Sequence, residues 1–318
     1  MHFHMNGILV SVCCLSYNHA EYIAQALDSM LAQKTDFAFE ILIHDDASTD
    51  GTADIIRSYA EKYPDIIRPL YETENQFSKS AVKNISALYN FPRARGKYIA
   101  MCETDDYWTD PDKLRIQAAY LEAHPECSIC FHSAAQVRGN VLVADRLVRP
   151  YDSDRVVSPE EIIDKKCGYP TASLMVRTEI MLKLPAFYME CPIGDIPMQL
   201  LMASAGNGYY FDRPMSAYRY CIPGSWTHEM FRDTPEETVR KQNRYAEQMA
   251  AMYDSFDEYT ERRFRGAVQS AKDRMYFRTR VNIRDFGTIY DRKYRKYYRE
   301  LPRKDRIYLW LQKTLKTK

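Results

Sequence analysis

The chain has 318 residues, 46% apolar and 27% charged, a balance that excludes wholesale disorder. No apolar run approaches the roughly 20 residues of a membrane helix, and the opening MHFHMNGILVSVCCLSYNH lacks the basic start and cleavage site of a secretory leader. The net charge of +1 conceals an asymmetry: from Arg262 to Lys318 there are 19 Lys and Arg against 5 Asp and Glu, or +14, which leaves −13 for the rest.

Residues 8–15, ILVSVCCL, form a continuous apolar run, the pattern of a parallel strand covered on both faces. Asn18 reads as a helix N-cap with Glu21 three positions on, and Ile23, Leu27, Met30 and Leu31 follow at helical spacing. FEILIH is a second strand, ASTDGT a turn and cap, and TADIIRSYAEKY a second helix. Residues 66–71 make a short strand, and SAVKNISALYNF a third helix closed by Pro92. KYIAMC is the next strand. PDKLRIQAAYLEAH is the next helix, with Pro111 in its first turn, and SICFHSA another strand. Repeated strand–helix–strand units predict an α/β fold, a mostly parallel sheet with helices on both faces. In such sheets ligands bind beyond the carboxyl ends of the strands. Three strands end in polar groups, Ser16-Tyr17-Asn18, Asp45-Asp46 and Glu103-Thr104-Asp105-Asp106, and the topology brings them to one crevice.

The stretch CETDDYW puts Glu103, Asp105 and Asp106 within four residues, directly after an apolar strand. Like charges so close repel, and acidic residues form strands poorly. A cation resolves the conflict. Oxygen-only ligation with few protein ligands suits Mg2+ or Mn2+ bound jointly with a phosphate. A cytoplasmic metal–diphosphate site points to a nucleotide. The chain has no GxxxxGK(S/T) loop and no GxGxxG after its first strand, which argues against a P-loop NTPase and a dinucleotide-binding oxidoreductase. Side chains and metal would then hold the nucleotide.

VSVCCLSYNHAEYIAQALDSMLAQ, FEILIHDDASTDGT and GKYIAMCETDDYW, in this order and at these intervals, resemble glycosyltransferase family 2. The resemblance is close over about residues 8–135, legible to about residue 226 and absent beyond. It implies the GT-A (Rossmann-like) fold, inverting transfer of a hexosyl unit from a nucleotide-sugar, and a divalent metal, Mg2+ or Mn2+. Ser16, Tyr17 and Asn18 would line the nucleotide, with Tyr17 against the base. Asp46 would hydrogen-bond the base, as in uridine-binding members. Asp105 would hold the ribose or donor sugar, and Asp106 would ligate the metal. Glu103 belongs to an E-x-D-D variant of the family's DxD motif and would reach the metal through water or orient its neighbours. The plainer alternatives are that Asp45 and Asp46 cap the following turn, that the acidic loop is solvated with Asp110 capping the next helix, and that Tyr17 only packs.

An inverting transfer needs a carboxylate to take the proton of the acceptor hydroxyl as it attacks. In PIGDIPMQLLMASAG, Asp195 stands just before a helix with apolar Met198, Leu201, Met202 and Ala205, and GDIPMQLL resembles the family's base-bearing helix start. The plain alternative is a helix cap. Many relatives carry a His two residues after a Tyr-Arg pair, in a loop over the donor; here that position is Cys221, and a thiol is a poor Mg2+ ligand. His228 is the substitute the sequence offers, against the reading of an ordinary surface histidine. CIPGSW reads as a lid with Trp226 as its cover, and GYPTASLMV, 168–176, as a lining of the acceptor side.

Residues 1–228 are therefore expected to form the catalytic domain, with a nucleotide-sugar half to about residue 135 and an acceptor half over 136–228. Residues 229–318 read as a helical, basic and aromatic extension. Tyr and Trp among Lys and Arg suit the headgroup zone of an anionic membrane, and many family members use polyprenyl-linked acceptors. Plain packing on the domain and strand binding to nucleic acid are the rivals; nucleic acid is not expected. The eight cysteines lie mostly in apolar contexts, and Cys127-x-x-Cys130 has no second pair with zinc-like spacing, so buried free thiols and a reducing cytoplasm are expected. The sequence thus predicts a metal-dependent inverting glycosyltransferase of surface polysaccharide biosynthesis, cytoplasmic and peripheral at the inner face of the membrane. It would move a sugar from a UDP-sugar to a saccharide or polyprenyl-linked acceptor. The alternative is a catalytically silent nucleotide-sugar binding scaffold. A nucleotidyltransferase would need a glycine-rich basic signature that SYNHAEYI lacks.

Overall fold

A computed structural model describes residues 7–79, 84–139, 141–220, 222 and 225–316. Its strands are β1 (Ile8–Ser16), β2 (Ala38–Asp45), β3 (Ile67–Tyr71), β4 (Tyr98–Met101), β5 (Tyr107–Trp108), β6 (Cys127–Arg138), β7 (Val141–Val148), β8 (Arg155–Val157), β9 (Met175–Arg177) and β10 (Asn207–Arg219). Its first helices are α1 (Ile23–Leu31), α2 (Thr52–Lys62), α3 (Gln76–Lys79), α4 (Ile85–Tyr89), α5 (Lys113–Ala123), α6 (Pro159–Ile163), α7 (Thr178–Met181) and α8 (Ala186–Met189). There follow α9 (Asp195–Ala205), α10 (Trp226–Glu229), α11 (Pro235–Tyr259), α12 (Arg265–Asn282), α13 (Phe286–Ile289), α14 (Arg295–Glu300) and α15 (Arg303–Lys316).

The sheet runs β3-β2-β1-β4-β9-β6-β10-β5, with β7 beside β6 and β8 beside β10. The strands β3, β2, β1 and β4 are parallel throughout. Beyond β4 the sheet is mixed: β6 and β10 are parallel, and short β5, β8 and β9 pair antiparallel. Helices cover both faces. Val10, Val12 and Cys14 of β1 face one layer with Ile23 and Leu27 of α1, Ile56 of α2 and Leu114 of α5. Cys13 faces the other, with Leu201 of α9, Phe256 of α11 and Val268 of α12. The period-two alternation of a strand thus sends neighbouring cysteines to opposite layers. Both are buried free thiols.

Two expected helix starts form differently. Asn18 is not an N-cap: α1 begins five residues later, after Tyr22, which makes no side-chain cap. Asn18 adopts a left-handed conformation (φ 55°), and its amide oxygen accepts the N–H of Thr49 at 2.8 Å. A tie across loops has won over a local cap. Likewise α5 starts at Lys113, not at Pro111; Asp110 turns the chain by accepting the N–H of Asp112 at 3.0 Å. The expected third helix is seen as α3 and α4; residues 80–83 between them lie outside the described residues, as do Cys221, Pro223 and Gly224. Residues 169 and 172–176 are buried and do not line an open acceptor face. Tyr169 stacks on Phe131 at 3.9 Å, and the carbonyls of Ala172 and Ser173 accept from Trp108 Nε1 and Gln117 Nε2. Small residues there leave room for protein, not for sugar.

Gly96, just before β4, lies against central β1: a Cβ there would stand 2.5 Å from the nitrogen of Ser11 and 2.7 Å from the carbonyl carbon of Val10. Neither backbone can retreat, because β1 is bonded on both sides. Gly96→Ala is expected to destabilise the protein by about 1–3 kcal/mol. Gly168→Ala, which meets nothing within 4 Å, should leave the denaturant midpoint unchanged.

Candidate active site

The carboxyl ends of β1, β2 and β4 meet because the strands are in parallel register: Ser16 sits opposite Asp45, and Cys13 opposite Met101. Past these ends the chain is laced together. Asp46 N–H donates to the carbonyl of Ser16 at 2.9 Å, and Thr104 N–H to that of Leu15 at 3.2 Å. Asn18 N–H donates to Ser48 Oγ, His19 N–H to Thr52 Oγ1 and Ala20 N–H to Asp50 Oδ2. His19 Nδ1 lies 2.8 Å from Thr104 Oγ1. Tyr17, 46% exposed, stands at the rim, open to a planar ligand. Ser16 is buried at the same strand end.

The two acids of HDD differ. Asp45 caps its own turn, accepting from Ser48 Oγ at 2.6 Å and Ser48 N–H at 3.2 Å. Buried Asp46 accepts the N–H groups of Gln76 at 2.6 Å and Phe77 at 3.0 Å, and so anchors the start of α3. A carboxylate oxygen has a second lone pair, so a further partner can still be met.

The acidic stretch is a tight turn, closed by Asp106 N–H on the carbonyl of Glu103 at 3.0 Å. Asp106 is buried, and Oδ1 accepts the backbone N–H of Arg219 at 2.8 Å. Burial holds its carboxyl well above the usual range, and neighbouring Asp105 adds to this; Arg219 only partly offsets them. Burial likewise pushes Glu103 up to about 8, followed by repulsion from Asp105 and from Asp195. The last contribution brings Asp195, the first residue of α9, to the same cluster. Lys165 also senses Asp195: burial pulls the amine down to about 8 against that carboxylate's attraction.

Sequence reasoning misses Arg219, at the end of β10. Its guanidinium is buried, donating to the carbonyl of Asp105, to Gln25 Oε1 and, at 3.3 Å, to the carbonyl of Gly139. The rings of Tyr22 and Tyr107 lie 4.7 and 4.9 Å from it. The sequence signal is the Tyr-Arg pair before Cys221, which marks the end of a strand and gives Arg219 no role of its own. Tyr218 beside it senses Asp106, Asp105 and Glu103, although burial is the main cause that takes its phenol to about 12. His228 sits half-buried on α10 with Nδ1 3.6 Å from Glu229, and Trp226 packs on Tyr245 at 5.2 Å.

Among the described residues no group of three or more His, Cys, Asp and Glu side chains is arranged to hold an ion. The acidic turn offers something else: oxygen donors only, with Asp106 buried and Glu103 and Asp105 half-buried. That donor set fits a hard divalent ion sharing its coordination with a ligand's phosphates.

The sequence model described as glycosyl transferase family 2 matches residues 11–168. An uncharacterized protein, Rv1520 of Mycobacterium tuberculosis, is 33% identical over 253 residues, 80% of this chain and 70% of that protein. The putative teichuronic acid biosynthesis glycosyltransferase TuaG of Bacillus subtilis is 42% identical over 113 residues, 36% of this chain and 42% of its own. Among solved structures, TarS 1–349 of S. aureus in complex with UDP-GlcNAc superposes with a TM-score of 0.54 at 17% identity, covering 87% of this chain and 81% of that one. The mannosyltransferase PcManGT of Pyrobaculum calidifontis, in complex with GDP-Man and Mn2+, gives 0.56 at 16% identity, over 100% of this chain and 92% of that one. The fold is GT-A-like. The chain belongs to glycosyltransferase family 2.

The raised affinity of Glu103 for protons has a measurable sign. Protonated Glu103 favours the folded state, a contribution fully present below the ordinary carboxylate value and lost as pH rises towards 8. Buried His44 and His132, whose affinities are lowered chiefly by burial, act in the opposite sense on acidification. The comparison with Glu103→Gln isolates the carboxylate. Without nucleotide or metal, the native protein should lose on the order of 2 kcal/mol relative to the variant between pH 5 and 8. Denaturant melts at several pH values check this.

Proposed function

We propose that this protein is a metal-dependent inverting glycosyltransferase. It transfers a hexosyl unit from a nucleoside-diphosphate sugar, UDP-linked by preference, to a glycan or lipid-linked acceptor in surface polysaccharide biosynthesis. The observation that carries the reading is the acidic turn beyond the ends of the parallel strands, where buried Asp106 follows half-buried Glu103 and Asp105 and the charge of Asp195 is felt at Glu103. The family membership and the resemblance to TuaG support the polysaccharide setting. TarS is bound to UDP-GlcNAc and PcManGT to GDP-Man, so the preference for uridine rests on Asp46.

Ser16, Tyr17 and Asn18 bind the nucleoside, with Tyr17 against the base and Asp46 beneath it. Asp105 holds the ribose or donor sugar. Asp106 would hold Mg2+ or Mn2+, with Glu103 orienting the loop, and an ion so held would supply positive charge to the departing diphosphate. The acceptor hydroxyl attacks the anomeric carbon from the face opposite the diphosphate, and its proton passes to Asp195 as the new C–O bond forms. The bond to the diphosphate oxygen breaks, releasing a nucleoside diphosphate. Residues 1–135 form the nucleotide-sugar half, 136–228 the acceptor half and 229–318 a helical extension, on a protein working at the cytoplasmic face of a membrane.

Calorimetry with UDP, GDP, TDP, CDP and ADP, with and without Mn2+, tests the donor site. One nucleotide should bind in a metal-dependent way, and Asp106→Ala should abolish that dependence. Absence of binding to all five sinks the reading. For the base, Asp195→Asn should lower transfer by about 10²–10⁴-fold while donor affinity stays within a few-fold. Normal turnover in that variant would remove Asp195 from the mechanism.

A further inference from the structure

Helix α15 carries its apolar residues on the wrong side for a helix that meets only water. Its inward face is Leu309, 3% exposed, packed with Phe277, Ile289, Tyr294 and Tyr297. Ile307, Leu311 and Leu315 recur at every fourth residue and are 47–70% exposed. Tyr308 and Trp310 are exposed beside them. A helix on a globular surface turns such a stripe towards the core. No other helix among the described residues exposes three aliphatic side chains at this spacing.

The charge says what covers this face. The helix has five cations, Arg303, Lys304, Arg306, Lys313 and Lys316, against one acid, Asp305. Arg303 and Lys304 are exposed one turn ahead of Ile307. A second copy would bring two equally basic helices face to face. A nucleic acid strand would want the cations, not three aliphatic side chains, at the centre of contact. Aliphatic residues flanked by Trp, Tyr, Lys and Arg match the boundary between headgroups and acyl chains of an anionic bilayer. Among the described residues no helix is long and apolar enough to cross a membrane.

We propose that α15 lies in the plane of an anionic lipid surface. Ile307, Leu311, Leu315 and Trp310 enter the interface, and Arg303 and Lys304 meet lipid phosphates. The inference is independent of the donor chemistry, since it needs neither nucleotide nor metal.

The test is co-sedimentation of the full chain with vesicles of phosphatidylcholine alone or with about one-third phosphatidylglycerol. Binding should favour the anionic vesicles by at least about tenfold and weaken with added salt. It should fall by a similar factor in the surface variant Ile307→Ser/Leu311→Ser/Leu315→Ser, whose thermal midpoint should match the native one. Arg303→Glu/Lys304→Glu should weaken only the anionic preference. Tryptophan emission should shift to the blue on binding, and Trp310→Phe should remove the shift. Native protein left in the supernatant with anionic vesicles at low salt overturns the proposal. So does undiminished binding by the triple variant, or a concentration-dependent dimer that the triple variant abolishes.

Discussion

Asp106 is a carboxylate held away from water, and Arg219, whose charge only partly offsets the effect of that burial, secures the backbone of its loop. The N–H of Arg219 reaches Asp106 Oδ1, while the guanidinium bonds the carbonyl of Asp105 and is held by Gln25, Gly139, Tyr22 and Tyr107. A guanidinium is well matched to this position, because its planar fork spreads one charge over several donors within reach of two aromatic rings. It fixes the geometry without cancelling the acids' charge. Burial and mutual repulsion still hold the Asp106 and Glu103 carboxyls above their usual range.

A second buried carboxylate in the same sheet shows the contrast. Glu40 of β2 is fully buried, towards the opposite end of the strands. It accepts from Ser11 Oγ at 2.7 Å, Arg95 N–H at 3.0 Å and Arg95 Nε at 2.9 Å. Burial opposes its ionisation, yet the bonds from Arg95 and Ser11 outweigh it and hold the carboxyl below its ordinary value. Glu40 and Asp106 are both buried acids; the hydrogen bonds that each receives separate a carboxyl held below its ordinary value from one held above it. They lie at opposite ends of the strands, and open α/β sheets build binding crevices beyond their carboxyl ends, where Asp106 stands.

That placement is legible in the sequence. ILVSVCCL, FEILIH and KYIAMC are apolar runs cut off by polar residues, and strand order does the rest. What cannot be read are ties between residues far apart in the chain. Arg219 acts on a loop 113 positions away, mostly through main-chain groups that any sequence possesses. Local spacing favours a cap at Asn18; a contact with Thr49, on another loop, decides otherwise. Residues 168–176 mislead for a related reason. Small side chains look like space until Trp108 and Gln117 are seen filling it and bonding to the carbonyls of Ala172 and Ser173. The mixed half of the sheet is hidden because β5, β8 and β9 are too short to show a period.

The helices after β10 are bound into the site's support. Asp195 opens α9, whose residues from Pro197 to Ala203 are buried. Next to it, Gly194 is crowded by Asn84, whose amide would lie 3.0 Å from an added Cβ. Against α9 and α8 lies α11: Phe256 meets Phe187 edge-on at 5.3 Å, and Met249, Met252 and Tyr253 are buried in the same layer. Tyr245 and Tyr253 sense Asp195, although burial is what chiefly raises their phenols. Phe264, just before α12, and Val268 within it extend that layer, and Arg278 bonds the carbonyl of Lys166 beside Lys165. The position of Asp195 therefore depends on residues well beyond the matched 11–168. The same basic extension that packs behind Asp195 turns an apolar face outward along α15, so one segment joins the support of the strand-end crevice to an exposed surface.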